Sequence, residues 1–370
     1  MAKPSEVKSR KDGDTYAGQD EDSSRIPRSL NEFSTFDVAL GYDTALHALG
    51  HEVYSFAYHR ALRFYRGALE VYHDDEADIP KGAEVALASE QVAVIAVDFR
   101  PDVALIVAGL NFGARGYQLL NAMGIPTAIL LTESPYLDYI QINMARAAQA
   151  TILFTNDRAS VGPLVEDTGQ PVTYLPHSFD PARHYPQEVG PEFQSDVFFH
   201  GTLWPEREAL FSQVRGMPYR MHLDGIDPHA VGEAVMPSIL QRVMSNDAVA
   251  RHYSGAAIAL NHHRTCVGGG DELEHIEAGE AWSLGPRAFE IAACGAFQLC
   301  DDARPELGEV FGDSVATYRN AEHLKAQVAY YMQHPAERRE MAEESRHCVE
   351  GCSFMTRAET ILIPALEEVI

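Results

Sequence analysis

Residues 283–299, SLGPRAFEIAACGAFQL, predict a loop, a short helix that ends at Gly295, and an apolar strand. Pro286 suits the first turn of a helix, because its missing N–H would be unpaired there in any case. The rest of the helix is small and apolar, and only Arg287 and Glu290 are charged. A helix followed directly by an apolar strand is the repeating unit of a parallel α/β sheet.

The same alternation of helices and strands extends along most of the chain. A helix that ends at Gly50 is followed by a predicted strand, HEVYSFAY (51–58). Further strands are predicted at PDVALIVAG (101–109), IPTAILLTES (125–134), ATILFTND (150–157), PVTYLPHSFDP (171–181), SDVFFHGTL (195–203), YRMHLDGI (219–226) and AAIALNHHR (256–264). Four prolines within residues 176–191 interrupt the alternation, which is typical of a linker.

The pattern therefore predicts an α/β protein with two Rossmann-like, doubly wound domains that face each other across a cleft. In such sheets, ligands bind beyond the carboxyl ends of the strands. The expected division is a disordered tail (1–30), a first domain (31–180), a linker (181–194), a second domain (195–352) and a final helix (353–370) that crosses back to the first domain.

Composition limits the classes of partner. The chain has 370 residues and a formal net charge of −25, which repels duplex nucleic acid and anionic membranes. No apolar run is long enough to span a membrane, and the polar N-terminus lacks a signal-peptide pattern. The five cysteines have no zinc-site or disulfide spacing. We expect a cytoplasmic protein with reduced thiols and neither a metal ion nor a cofactor.

The two charges in the opening stretch predict an anion site. Free N–H groups at the start of the helix, together with the Arg287 guanidinium, suit a diphosphate. Glu290 lies one turn further along and suits the paired hydroxyls of a ribose. An ion pair between Arg287 and Glu290 is an equally good interpretation of the helix by itself.

Two other strand ends favour the binding site. Each releases polar or small residues into a loop, as a ligand site at this edge of a sheet requires. Together with Ser283 of the opening stretch, the candidates for binding the ligand are Gly201, Thr202, Arg207, Asn261, His263 and Arg264. A metal site of His262, His263 and Cys266 is the less favoured alternative, because adjacent histidines project divergently.

Several motifs together resemble the GT-B glycosyltransferases, and specifically the CgeB-like (spore-maturation-protein-like, glycosyl transferases group 1) family. The second half contributes DVFFHGTLWPERE, IALNHHR, GPRAFEIAACGAFQLCDD, ELGEVFGD and AYYMQHPAERREMAEESR. The first half contributes RPDVALIV, GIPTAILLTESPYLDY, FTND and YLPHSFDPARHYP. The resemblance covers roughly residues 36–365.

The resemblance implies transfer of a sugar from a nucleotide-diphosphate donor without a metal. It places Glu290 at the donor ribose and Arg207 at the diphosphate. Two features depart from the family pattern. Trp282 occupies the position where many GT-B enzymes carry a second glutamate near the donor sugar. In addition, the region before residue 38 lacks the glycine-rich loop that usually follows the first strand.

The catalytic residues predicted are Arg287, which stabilises the leaving diphosphate, and Glu133, a general base if the reaction inverts configuration. Glu133 is equally well interpreted as a turn residue. His177 is either a neighbour of the donor sugar or a hinge residue. The loop 267–282 is either a lid or a disordered excursion. Retention or inversion, the acceptor, and the alternatives of a sugar-nucleotide epimerase or a non-catalytic nucleotide-sugar-binding protein stay open.

Overall fold

The computed structural model describes residues 33–73, 78–109, 112–132, 149–224, 244–264 and 281–370. Within these ranges, nine strands form two sheets in which every pair is parallel. The strands are β1 (Ala104–Val107), β2 (Thr127–Leu130), β3 (Ile152–Thr155), β4 (Val172–Tyr174), β5 (Ser195–His200), β6 (Met221–Asp224), β7 (Ala256–Asn261), β8 (Gln298–Asp301) and β9 (Ala316–Tyr318).

Helices connect the strands and continue beyond them. They are α1 (Phe33–Ala48), α2 (Tyr58–Tyr72), α3 (Ala83–Phe99), α4 (Ala114–Ala122), α5 (Val161–Thr168), α6 (Pro205–Val214), α7 (Asn246–Gly255), α8 (Pro286–Ala293), α9 (Glu306–Phe311), α10 (Ala321–Gln333), α11 (Pro335–Cys348), α12 (Phe354–Arg357) and α13 (Ile363–Glu367). A π-helical segment, Ala358–Leu362, joins α12 to α13. None of the described helices is both long and apolar enough to cross a membrane.

The first sheet has the order β1-β2-β3-β4 and is covered on both faces. One face packs against α3 and α4 through residues such as Tyr117 and Leu120. The other face packs against α1 and the helical segment 354–367, with Phe354 and Leu362 in the shared core. Helices on both faces explain why β2 and β3 are apolar throughout.

The second sheet has the order β6-β5-β7-β8-β9. The chain first moves outward from β5 to β6 and then returns to β7 on the other side of β5. The carboxyl ends of β5 and β7 therefore lie at a topological switch point, which is the usual ligand site of an open parallel sheet. Phe198 and Phe199 are fully buried on the two faces of β5, in separate apolar clusters.

The α/β class and the parallel sheets are confirmed, but the predicted strand 51–58 is wrong. Residues 51–57 belong to no helix or strand, and Tyr58 begins α2. Tyr58 contacts Val85 and Ser89 of α3 through its hydroxyl group. Packing against α3 thus outweighs the local preference of valine and aromatic residues for a strand. No strand precedes β1 in the part of the chain that the structure describes.

Candidate active site

Arg287 is fixed at the switch point by groups from both central strands. Its Nε donates to the backbone oxygen of His200 (3.0 Å), and its Nη1 donates to Asn261 Oδ1 (3.3 Å). The guanidinium lies 4.9 Å from the centre of the Phe199 ring. A side chain at Gly201 would overlap this guanidinium, so glycine is the residue that leaves space for it. The sequence prediction did not identify Phe199 as part of the site.

Arg207 is buried beside Arg287. Its two terminal nitrogens donate to the backbone oxygens of Thr202 and His262, each at 2.7 Å. Its Nε has no hydrogen-bond partner among the residues that the structure describes. Burial, followed by the positive charge of Arg287, lowers the pKa of Arg207 to about 9. Two cations that repel each other in a buried position form a site that an anion would stabilise.

Glu290 lies one helical turn after Arg287 and is half-buried. These two described residues form no ion pair with each other, so the ion-pair interpretation of the helix is wrong. Within the described ranges, no hydrogen bond or ion pair engages the Glu290 carboxylate. Burial lowers the pKa of His184, although the negative charge of Glu290 acts in the opposite direction. The carboxylate therefore stays available to hydroxyl groups of a ligand.

Asn261 was predicted to bind the ligand, and the structure places its side chain beneath Arg287. Its Oδ1 accepts from Arg287, and its Nδ2 donates to Gln298 Oε1 at 3.0 Å. The side chain is 1% exposed. These contacts show that Asn261 orients the arginine. Direct binding of a ligand by Asn261 stays an untested prediction.

The two histidines after β7 have different partners. His262 Nδ1 lies 2.8 Å from the hydroxyl group of Tyr318, and burial lowers the pKa of His262 to about 4. His263 bonds to Asp301 at the end of β8 through both its backbone N–H and its Nδ1, with Nδ1 3.1 Å from Oδ2. Burial opposes ionisation of Asp301, but the charge and hydrogen bonds of His263 outweigh it and hold the pKa of Asp301 well below its usual value.

Cys300 brings a third potential metal ligand to His263 and Asp301. Its sulfur lies 4.0 Å from His263 Nδ1, and burial raises the pKa of the thiol well above its usual value. The histidine and the carboxylate are thus bonded to each other, and the thiol next to them is protonated. The alternative site with Cys266 falls on a residue outside the described ranges.

The loop before α8 is held by carboxylates. Asp157, which follows β3 of the first sheet, accepts from the backbone N–H groups of Trp282 (3.1 Å) and Ser283 (3.2 Å). Glu306 accepts from the backbone of Leu284 at 2.6 Å and from the hydroxyl group of Tyr174. These bonds join the first half of the chain to the segment that carries Arg287 and Glu290.

Ser283 also takes part in this junction. Its hydroxyl group donates to the Tyr174 oxygen (2.8 Å) and accepts from the backbone N–H of Arg158 (3.1 Å). The predicted contact of Ser283 with a ligand is not tested by these bonds. The local sequence pattern gave no indication of these partners, because Arg158 follows β3 and Tyr174 ends β4, more than 100 residues earlier in the chain.

Two tryptophan side chains stack against arginines, and Arg264 and Trp282 of these pairs lie close to residues 265–280, which are outside the described ranges. The guanidinium of Arg264 lies 3.8 Å from the centre of the Trp204 ring, and that of Arg158 lies 4.5 Å from the Trp282 ring. The Trp282 indole Nε1 is buried without a partner among the described residues. Arg304 donates to the backbone oxygens of Ala281 (3.4 Å) and Arg264 (3.0 Å). It therefore holds together the two residues that flank the segment 265–280.

His177 is the only predicted residue of the first half that the structure describes. Its Nε2 accepts from Asn156 Nδ2 at 3.2 Å, and Asn156 also donates to the backbone oxygen of Thr132 at 2.9 Å. Burial, followed by the charge of Arg357, lowers the pKa of His177 to about 4. The imidazole is therefore neutral and acts as an acceptor. Glu133, the predicted base, lies outside the described residues.

This neutral histidine predicts a loss of stability in acid. Between pH 6.5 and about 4, the unfolded chain protonates residue 177 while the folded chain does not. The free energy of unfolding should therefore fall as the pH drops through this window, by about 2 kcal/mol from this group. Urea unfolding of the wild type and of His177→Gln at pH 7 and pH 4.5 measures it. Equal losses in the two proteins would contradict the assignment.

Comparison with solved structures defines the class of fold. A glycosyltransferase from Rickettsia africae ESF-5 is similar with a TM-score of 0.56 and 12% identity, over 93% of this chain and 97% of that one. Sucrose-phosphate synthase from Thermosynechococcus elongatus has a TM-score of 0.55 and 13% identity, over 78% and 79%. Anabaena HepE in complex with UDP-glucose has a TM-score of 0.54 and 14% identity, over 78% and 84%. The chain has the GT-B fold of these glycosyltransferases.

Sequence comparison gives a more particular relationship. Residues 199–363 match the model of the family described as glycosyl transferase-like. Spore protein CgeB from Bacillus subtilis (strain 168) is 26% identical over 256 residues, which are 66% of this chain and 76% of the relative. The predicted resemblance to the CgeB-like group 1 glycosyltransferases is confirmed.

Proposed function

We propose that the protein transfers a sugar from a nucleotide-diphosphate donor to an acceptor, and that it does so without a metal ion. One observation carries the proposal. Arg207 and Arg287 lie beside the same aromatic ring at the switch point of the second sheet, and a carboxylate without a partner in the described ranges, Glu290, follows one turn later. The two cations suit the diphosphate of a nucleotide, and the carboxylate suits the hydroxyl groups of its ribose.

The two arginines supply the chemistry that metal-independent transfer requires. Breaking the bond between the anomeric carbon and the diphosphate leaves negative charge on the departing oxygen. Fixed cations in a partly buried site stabilise that charge more in the transition state than in the ground state. Arg287 is held by His200 and Asn261 before any ligand binds, so its orientation costs nothing at the moment of reaction.

Glu290 is assigned to the ribose of the donor. Its carboxylate lies on the same helix as Arg287 and is half-buried, which favours hydrogen bonds with two adjacent hydroxyl groups over contact with bulk water.

Glu133 stays the proposed base if the reaction inverts configuration. HepE, which has a similar fold, binds UDP-glucose, so uridine nucleotides are the first donors to test.

A thermal-shift screen tests the proposal. UDP, GDP, ADP, CDP and dTDP are compared, each free and as its glucose derivative. A ligand at one hundred times its dissociation constant should stabilise the protein by about 2.7 kcal/mol, which raises the melting temperature measurably. The same donors without an acceptor are then assayed for slow hydrolysis, which a non-catalytic binding protein would lack. Unchanged melting temperatures with every nucleotide would contradict the proposal.

A further inference from the structure

One nitrogen of His263 has no role in the contacts described so far. The side chain is 5% exposed, and its Nδ1 lies 3.1 Å from Asp301 Oδ2. Its Nε2 is buried and has no hydrogen-bond partner within the described ranges. A buried polar atom without a partner is costly, and one at a ligand site indicates a bond that the ligand completes.

Asp301 fixes the orientation of the His263 ring. The carboxylate accepts from three N–H groups, namely the backbone of His263, the backbone of Ala303 and the imidazole Nδ1. An ionised carboxylate can only accept, so the imidazole proton stays on Nδ1. Nε2 is the other ring nitrogen, and it points away from Asp301 because the two nitrogens lie on different sides of the ring.

The cluster shares its surroundings with the proposed diphosphate site. His263 follows β7, whose last residue orients Arg287. The charges of Arg207 and Asp301 act on each other, and the charges of Arg287 and Arg304 act on Cys300, the β8 residue whose sulfur lies 4.0 Å from His263 Nδ1. These arginines are all donors. A sugar hydroxyl group bound near them can take a further partner, and His263 Nε2 is a buried polar atom without one within the described ranges.

We propose that His263 Nε2 forms a hydrogen bond with a hydroxyl group of the donor sugar, with Asp301 as the positioning residue that fixes the orientation of the imidazole. The inference rests on the proposed function and makes it more specific. It assigns recognition of the sugar to an imidazole that follows β7, separately from the groups that bind the diphosphate and the ribose.

A pair of matched variants tests this role. The amide of His263→Asn reaches only as far as Nδ1 and preserves the bond to Asp301, whereas the longer amide of His263→Gln places an oxygen near the position of Nε2. The dissociation constants of a nucleoside diphosphate and of its glucose derivative are measured by calorimetry, using UDP and UDP-glucose or the pair that the thermal screen selects. Melting temperatures without ligand verify that both variants are folded.

The expected result is a change in one ratio. In His263→Asn the dissociation constant of the sugar nucleotide should rise about tenfold relative to that of the free diphosphate, which should stay within about twofold of wild type. His263→Gln should recover most of the loss. Asp301→Asn replaces one of the two carboxylate oxygens that orient the ring with an amide nitrogen, so it should change the ratio in the same direction as His263→Asn.

Three outcomes would overturn the inference. An unchanged ratio in His263→Asn excludes a contact with the sugar while leaving the proposed function intact. Equal weakening of both ligands assigns His263 to the diphosphate or to the fold. A wild-type protein that binds no nucleotide overturns the inference and the proposed function together.

Discussion

Arg287→Ala should lower the turnover of sugar transfer about a hundredfold, and at least tenfold, while the protein stays folded. The substitution removes the cation that two groups, the His200 carbonyl and Asn261 Oδ1, orient toward the switch point. Those acceptors lie at the carboxyl ends of two central strands and lose this partner in the variant, so its melting temperature is measured together with its kinetics. The loss should appear mainly in kcat, because the charge on the leaving diphosphate develops only in the transition state.

Two further variants make this result interpretable. Arg287→Lys keeps the positive charge but not the geometry of the two bonds, so it should recover only part of the activity. Arg319→Ala removes an arginine whose side chain is 76% exposed and should be close to wild type. Steady-state kinetics and melting temperatures are compared for all three. Near-normal turnover in Arg287→Ala would contradict the assignment of this residue to the leaving group.

The parts of the site that sequence alone could predict depend on local spacing. Pro286 marks the start of α8, and the separation of Arg287 and Glu290 on a short helix follows from that start. Doubly apolar strands such as β2 and β3 are similarly local signals, and they correctly indicated parallel sheets.

The partners of these residues could not be predicted, because they depend on contacts between distant segments. Phe199 is indistinguishable in sequence from any core residue of a strand, yet its ring lies beside both Arg207 and Arg287. Asp301 follows an ordinary apolar strand, and only the adjacent position of β7 and β8 brings it to His263. Pairing of strands decides both contacts, and no short pattern reports that pairing.

The region around α2 shows how tertiary packing overrides a local pattern. Residues 51–58 are rich in valine and aromatic residues, which favours a strand, but α2 begins at Tyr58 and buries Ala61. The aromatic ring of Tyr58 packs edge-on against Phe112, with 5.5 Å between ring centres. The partners in this packing come from α3 and from the residues before α4, which a window of eight residues does not contain.

Leu362 lies near the end of the chain but is buried in the core of the first sheet. It is 0% exposed and belongs to the same apolar cluster as Leu130 of β2 and Phe154 of β3. A further contact fixes the preceding turn, since a side chain at Gly41 of α1 would overlap the ring of Phe354. The segment 354–367 therefore completes the core of a sheet whose strands lie about 200 residues earlier.

Leu362→Ala should consequently destabilise the first sheet by about 2–5 kcal/mol, the usual cost of removing a fully buried leucine side chain. Glu359→Ala, on the exposed side of the same segment, should change the free energy of unfolding by less than about 0.5 kcal/mol. Amide hydrogen exchange followed by mass spectrometry distinguishes the affected region. Protection should fall in β2 and β3 and stay unchanged in β7 and β8. Loss of protection confined to the last helix would show that the segment does not support the first core.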